Sequence, residues 1–204
     1  MKTDIPQTVY LKDYTPPAFL IDTVDLDFVI ETGSTTVTAT LAVRRNPAVA
    51  AQPLVLDGDE LETLSVAVDG EKWPFSETPT QLTLSDLPGA FTLTTEVRIQ
   101  PDSNTRLSGL YRSKDGYFTQ CEAQGFRRIT WFLDRPDVMS TYTVTLHADK
   151  EKLPVLLANG NPVAAGDEAD GRHWAKWNDP FRKPAYLFAI VAGKLDGLFN
   201  SFTT

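Results

Sequence analysis

The chain has 204 residues, 42% hydrophobic and 10% aromatic, which supplies a core and excludes a disordered tail. Its net charge of −8 argues against nucleic acid as a partner, because a phosphate backbone would be repelled on average. One cysteine, Cys121, excludes an intrachain disulfide, and no apolar run suits a signal peptide or a bilayer span, so the expectation is a soluble cytoplasmic protein with no membrane partner.

Taken in chain order, period-two alternation dominates. Val24, Leu26, Phe28 and Ile30 alternate with Asp25 and Asp27, and Glu31-Thr-Gly-Ser34 then reverses the chain. Val37, Ala39, Leu41 and Val43 alternate with Thr36, Thr38 and Thr40. After an Asp57-Gly58 turn signal, Leu64, Val66 and Val68 form a third run, closed by Asp69-Gly70. Pro88-Gly89 precedes Phe91, Leu93, Val97 and Ile99, and Asp115-Gly116 marks a further reversal. Pro136 predicts a single helical turn over Asp137–Ser140, before Tyr142, Val144 and Leu146 resume alternation with Thr143, Thr145 and His147. Asn159-Gly160 and Asp170-Gly171 are turns, and Arg172–Trp177 reads as a strand with Trp174 and Trp177 on opposite faces. Tyr186–Ala192 is apolar on both faces and predicts a fully buried strand. These elements predict an all-β fold, a saddle or sandwich of mostly antiparallel sheets.

The chemistry-bearing residues are sparse. A hydrolytic zinc site needs about three protein ligands, and the only histidines are His147 and His173, in no His-Glu-x-x-His pattern. Cys121 lies in no cysteine-hydrolase signature and reads as a small strand residue. The segment Tyr117–Asp137 stands apart, dense in polar, charged and aromatic residues without clean alternation. Gln120 and Glu122 are two apart, so an extended segment would put them on one face, where a carboxylate and an amide receive an ammonium. The competing reading pairs Glu122 with Arg127 or Arg128 as internal structure. Arg127, Arg128, Asp134, Arg135 and Asp137 read as an ion-pair and turn set.

Thr119-Gln-Cys-Glu-Ala-Gln-Gly-Phe-Arg-Arg-Ile-Thr130 followed by Asp134-Arg-Pro-Asp137 resembles the bacterial aminopeptidase N (alanyl aminopeptidase) family of gluzincin zinc metallopeptidases. The resemblance continues through Leu156–Asn161, Gly171–Trp174, Asp179–Phe181, Lys183–Gly193 and Phe202–Thr204. It implies a β-saddle N-terminal domain over the whole chain, 1–204. It also implies that Glu122 binds the α-ammonium of a peptide substrate and that Gln120 lines the pocket for the first side chain. The family's Gly-x-Met-Glu-Asn stretch and zinc-binding His-Glu-x-x-His helix are not in these residues. The expectation is therefore a front domain, inactive alone, whose Zn2+ ligands belong to a catalytic domain that is its partner. Rival readings are a non-catalytic β-sandwich module stacking sugars on Trp73, Trp131, Trp174 and Trp177, or a structural interaction domain.

Overall fold

The computed structural model describes residues 8, 10–198 and 200–203. Among the described residues fifteen strands follow one another: β1 (Phe19–Ile30), β2 (Thr35–Arg45), β3 (Leu54–Asp57), β4 (Glu62–Val68), β5 (Glu71–Lys72), β6 (Ser76–Thr78), β7 (Gln81–Leu84), β8 (Ala90–Ile99), β9 (Gly109–Ser113), β10 (Gly116–Gln120), β11 (Ser140–Asp149), β12 (Val155–Ala158), β13 (Asn161–Asp167), β14 (Arg172–Lys183) and β15 (Ile190–Gly193). Among the described residues the only helical pieces are three-residue 3-10 turns, and no helix is long and apolar enough to cross a membrane.

The strands form three sheets. The large one has eight strands in the order β13-β14-β11-β1-β2-β8-β4-β5. Every pair in it is antiparallel except β1 with β11, which run parallel with Thr23 opposite Thr141 and Val29 opposite His147. The second sheet, β12-β15-β10-β9, and the third, β3-β7-β6, are antiparallel throughout. The all-β, mostly antiparallel expectation therefore holds.

Alternation explains the layering. Val24, Leu26, Phe28 and Ile30 of β1 share a buried face with Val37, Ala39, Leu41 and Val43 of β2, Leu93 and Val97 of β8, and Val144 and Leu146 of β11. The opposite face carries Asp25, Asp27 and a run of threonines, none of them fully buried. Such one-sided patterning fixes register, because a one-residue slip would turn each apolar set to water. An aromatic cluster joins the large sheet to the segment after β10. Phe126 meets Phe132, Phe188 and Tyr142 edge-on at centroid distances of 4.8, 5.1 and 6.2 Å.

Three local expectations are corrected. Tyr186–Ala192 is not one buried strand: a 3-10 turn spans Ala185–Leu187, Leu187 is exposed, and β15 begins only at Ile190. The chain beyond Pro184 turns before it can pair. Asp137–Ser140 forms no helical turn. The Val138 N–H bonds back to the Arg135 carbonyl, and Ser140 already opens β11. Leu64 leaves the core because a bulge between Thr63 and Ser65 breaks the alternation of β4 against β8. Gly58 is needed for space: a Cβ there would lie 2.1 Å from the buried Trp131 ring.

Candidate functional site

The segment singled out by the sequence leaves the second sheet at the end of β10. Gln120 is the last residue of that strand, pairs with Gly109 of β9, and is exposed. The chain then dips, burying Cys121 to 2% exposure, and returns to the surface for Glu122, Ala123 and Gln124. A hydrogen bond from the Gly125 N–H to the Cys121 carbonyl, 2.8 Å, closes this five-residue turn. The Glu122–Ala123 peptide bond within it is cis. Phe126 follows with 0% exposure and anchors the turn in the aromatic cluster.

Two glycines permit the tight path. Gly125 has ordinary right-handed angles, φ −86° and ψ −17°, so its requirement is spatial. A Cβ there would lie 2.3 Å from the Gln120 carbonyl oxygen and 2.9 Å from the Cys121 Cα. Gly109 has φ +74°, and its Cβ would lie 2.7 Å from the Arg128 Cβ. Three stretches of backbone thus touch where only glycine fits.

Gln120 and Glu122 are brought together, though not by strand parity. The strand ends at Gln120, and the two are linked by the turn, with the Gln120 side-chain amide 3.4 Å from the Glu122 carbonyl oxygen. Glu122 is exposed, and its carboxylate forms no ion pair or side-chain hydrogen bond among the described residues. The arginines that might have claimed it are committed elsewhere. Arg127 Nε donates to Asp134 Oδ2 at 2.9 Å. Arg128 reaches Asp59 and Glu60, each at 2.5 Å. Arg135 grips Asp137 through two bonds of 2.6 and 2.7 Å, and the Tyr14 hydroxyl donates to the same carboxylate at 2.9 Å. The Arg135 bond holds the Asp137 carboxyl below the usual carboxylate range, whereas burial pushes Asp134 upward against its arginine. Asp59 and Glu60 were not legible as partners, because sequence offers no sign that residues nearly seventy positions apart would meet.

The face bearing Gln120 has a further feature. Leu157, Val191, Phe118 and Tyr111 stand opposite one another across β12, β15, β10 and β9, a row of apolar side chains that are exposed or only partly covered.

The remaining candidates do not assemble a centre. His147 bonds Glu168 at 2.6 Å and Asp27 at 3.2 Å, whereas His173 bonds the Leu153 carbonyl at 2.8 Å. His147 pairs with Trp174 and His173 with the buried Ala148, so the imidazoles lie on opposite faces of the large sheet. No group of three ligand residues is placed to hold a metal among the described residues, so these side chains do not fit a zinc ion. Burial pushes the Cys121 thiol far up, away from a nucleophile's range. Trp131 is buried, and Trp174 and Trp177 project from opposite faces of β14, so the tryptophans form no common platform.

The peptidase M1 N-terminal domain family matches residues 20–187 of this chain. Aminopeptidase N of Caulobacter vibrioides is 51% identical over 100% of the chain and 24% of its own length. Aminopeptidase N of Escherichia coli is 48% identical over 99% of the chain and 23% of its own length. Among solved structures, the aminopeptidase A of Legionella pneumophila in complex with aspartic acid superposes with a TM-score of 0.87 at 31% identity, covering 91% of this chain and 22% of that one. An M1 zinc metallopeptidase of Deinococcus radiodurans, bound to a Tyr-Ser-Ala substrate, gives 0.72 at 17% identity over 86% of this chain and 42% of that one, a likeness of fold. The chain thus spans about a quarter of the curated relatives it matches.

Proposed function

Because the chain belongs to the peptidase M1 family, as its N-terminal domain, we propose that it forms one wall of the substrate pocket of a zinc aminopeptidase. Glu122 receives the α-ammonium of the peptide, and Gln120 borders the space for the first side chain. The zinc ligands come from polypeptide outside these residues, and the chain alone hydrolyses nothing. The apolar row Leu157–Val191–Phe118–Tyr111, continuous with Gln120, seats against that metal-bearing part.

One observation carries the reading: a carboxylate without an internal partner stands at the tip of a turn whose two feet, Cys121 and Phe126, are buried. Exposure alone makes an unpaired glutamate cheap, since water solvates it. A solvated glutamate needs no such mounting, however, whereas an anchor that sets the distance from amine to scissile carbonyl does. An ammonium that must fill this position also accounts for an exopeptidase, because an internal peptide bond presents no cation.

The test is Glu122→Gln in the complete polypeptide. Losing one partner of a covered charge pair costs about 2–5 kcal/mol, so kcat/KM for a chromogenic amino-acid amide should fall about 30-fold to a few thousand-fold. Metal content should stay that of the parent. Activity within about threefold of the parent would remove Glu122 from the role.

A further inference from the structure

Arg128 is only 8% exposed, yet it is not part of the proposed pocket. Its guanidinium uses all three nitrogens: NH1 to Asp59 Oδ2 at 2.5 Å, NH2 to Glu60 Oε2 at 2.5 Å, and Nε to the Ser108 carbonyl at 3.0 Å. Arg106 approaches the same two carboxylates from the more exposed side, at 3.6 and 3.2 Å. A planar fork held at three points fixes direction as well as position.

The grip is continuous with the turn that carries Glu122. The Arg128 N–H donates to the Gly125 carbonyl at 3.0 Å, and the Gly125 N–H donates to the Cys121 carbonyl at 2.8 Å. Gly109 is wedged between the Arg128 Cβ and the Gly125 oxygen, which a Cβ would meet at 2.7 and 3.2 Å. Gly109 is also the strand partner of Gln120. Any outward movement of Arg128 therefore removes the floor under Gly125 and, through one further hydrogen bond, under Cys121 and its neighbour Glu122.

We infer that Arg128, clamped by Asp59 and Glu60, is a positioning residue that holds the Cys121–Gly125 turn, and with it Glu122, in one place. The functional meaning of that placement rests on the amine-anchor reading above, whereas the placement itself is a property of this chain and is tested without it. An arginine that only supported the fold would, when replaced, lower the stability of the whole domain without loosening this turn selectively.

Cys121 is the chain's single thiol and sits at the foot of the turn, 2% exposed, so its reaction with an aromatic disulfide reagent reports local opening. Hydrogen bonds to charged groups are strong enough that Arg128→Gln should speed labelling at least about tenfold. Arg128→Lys, which keeps the charge but not the fork, should fall between it and the parent. Glu60→Gln, at a half-exposed side chain, should give a rise of about threefold and folds even where Arg128→Gln does not. Val68→Ala, a core truncation at the end of β4 farther along the chain from Glu60, is the control for general destabilisation and should leave the native labelling rate near the parent's. A rate in Arg128→Gln and Glu60→Gln no faster than in Val68→Ala overturns the inference. In the complete enzyme, Glu60→Gln should lower kcat/KM for an amino-acid amide with metal content unchanged. Faster labelling with unaltered kinetics would leave the clamp standing and count against the amine-anchor reading.

Discussion

Gly125→Ala isolates the steric demand of the turn from conformational effects. At φ −86° and ψ −17° alanine is as comfortable as glycine, so the backbone itself sets no penalty. The added methyl would lie 2.3 Å from the Gln120 carbonyl oxygen, 2.9 Å from the Cys121 Cα and 3.0 Å from the Gly109 nitrogen. All three are backbone atoms in paired or closed structure, so none can swing aside. Overpacking of this kind costs about 1–3 kcal/mol. Forcing the turn open also forfeits the Gly125–Cys121 hydrogen bond, about 1 kcal/mol. The expected loss is about 2–4 kcal/mol, read as a lower urea midpoint at unchanged slope. Two companions calibrate it. Gly70→Ala meets nothing within 4 Å but sits at φ +86°, so its cost of about 1–2 kcal/mol is conformational. Gly89→Ala meets nothing within 4 Å and lies outside the positive-φ region, so it should be neutral or stabilise by about 0.5 kcal/mol. A Gly125→Ala variant as stable as Gly89→Ala would refute the close-packed account of the turn.

Trp131→Phe should cost about 1–3 kcal/mol, because it removes the 2.8 Å bond to Thr63 and part of a ring that fills the space over Gly58; the urea midpoint reads it. Phe126→Leu removes three edge-on aromatic contacts and should cost about 1–3 kcal/mol, with faster Cys121 labelling because the turn loses an anchor. Acid should weaken the domain through Asp22 and Asp137, whose carboxyls are held below the ordinary 3.8 by hydrogen bonds from Arg44 and Arg135 respectively. A folded-state pKa below the unfolded one gives stability that is complete above the unfolded value and lost as pH falls through the folded one. The urea midpoint should therefore drop as pH falls below the unfolded value of 3.8, and drop less in the Asp22→Asn/Asp137→Asn double variant; equal slopes would exclude these two groups.

Much of the large sheet was legible in the residues. β1, β2, β8 and β11 are ten residues or longer and half-buried, so an apolar residue at every second place is enough to define them. The second sheet was hidden because β9, β10, β12 and β15 have four or five residues each, too few for a period to emerge. The turn at Glu122 was not derivable from local signals. Its closure depends on Gly109, sixteen positions upstream of Gly125, and its grip on Asp59 and Glu60, which only long-range packing brings within reach. Residue type and family resemblance single out Gln120 and Glu122, whereas strand parity does not join them, because β10 ends at Gln120.

The parallel pairing of β1 with β11 has a consequence for biosynthesis. Its partners are 118 positions apart, Thr23 against Thr141, and this seam is the junction of two antiparallel halves, β2-β8-β4-β5 on one side and β14-β13 on the other. While the ribosome is still making the middle of the chain, Phe19–Ile30 can zip onto β2 but keeps its other flank bare. A nascent chain stalled before Ser140 therefore carries a twelve-residue adhesive edge, and chaperone dependence should be greatest at that point and end once Asp149 has cleared the exit tunnel.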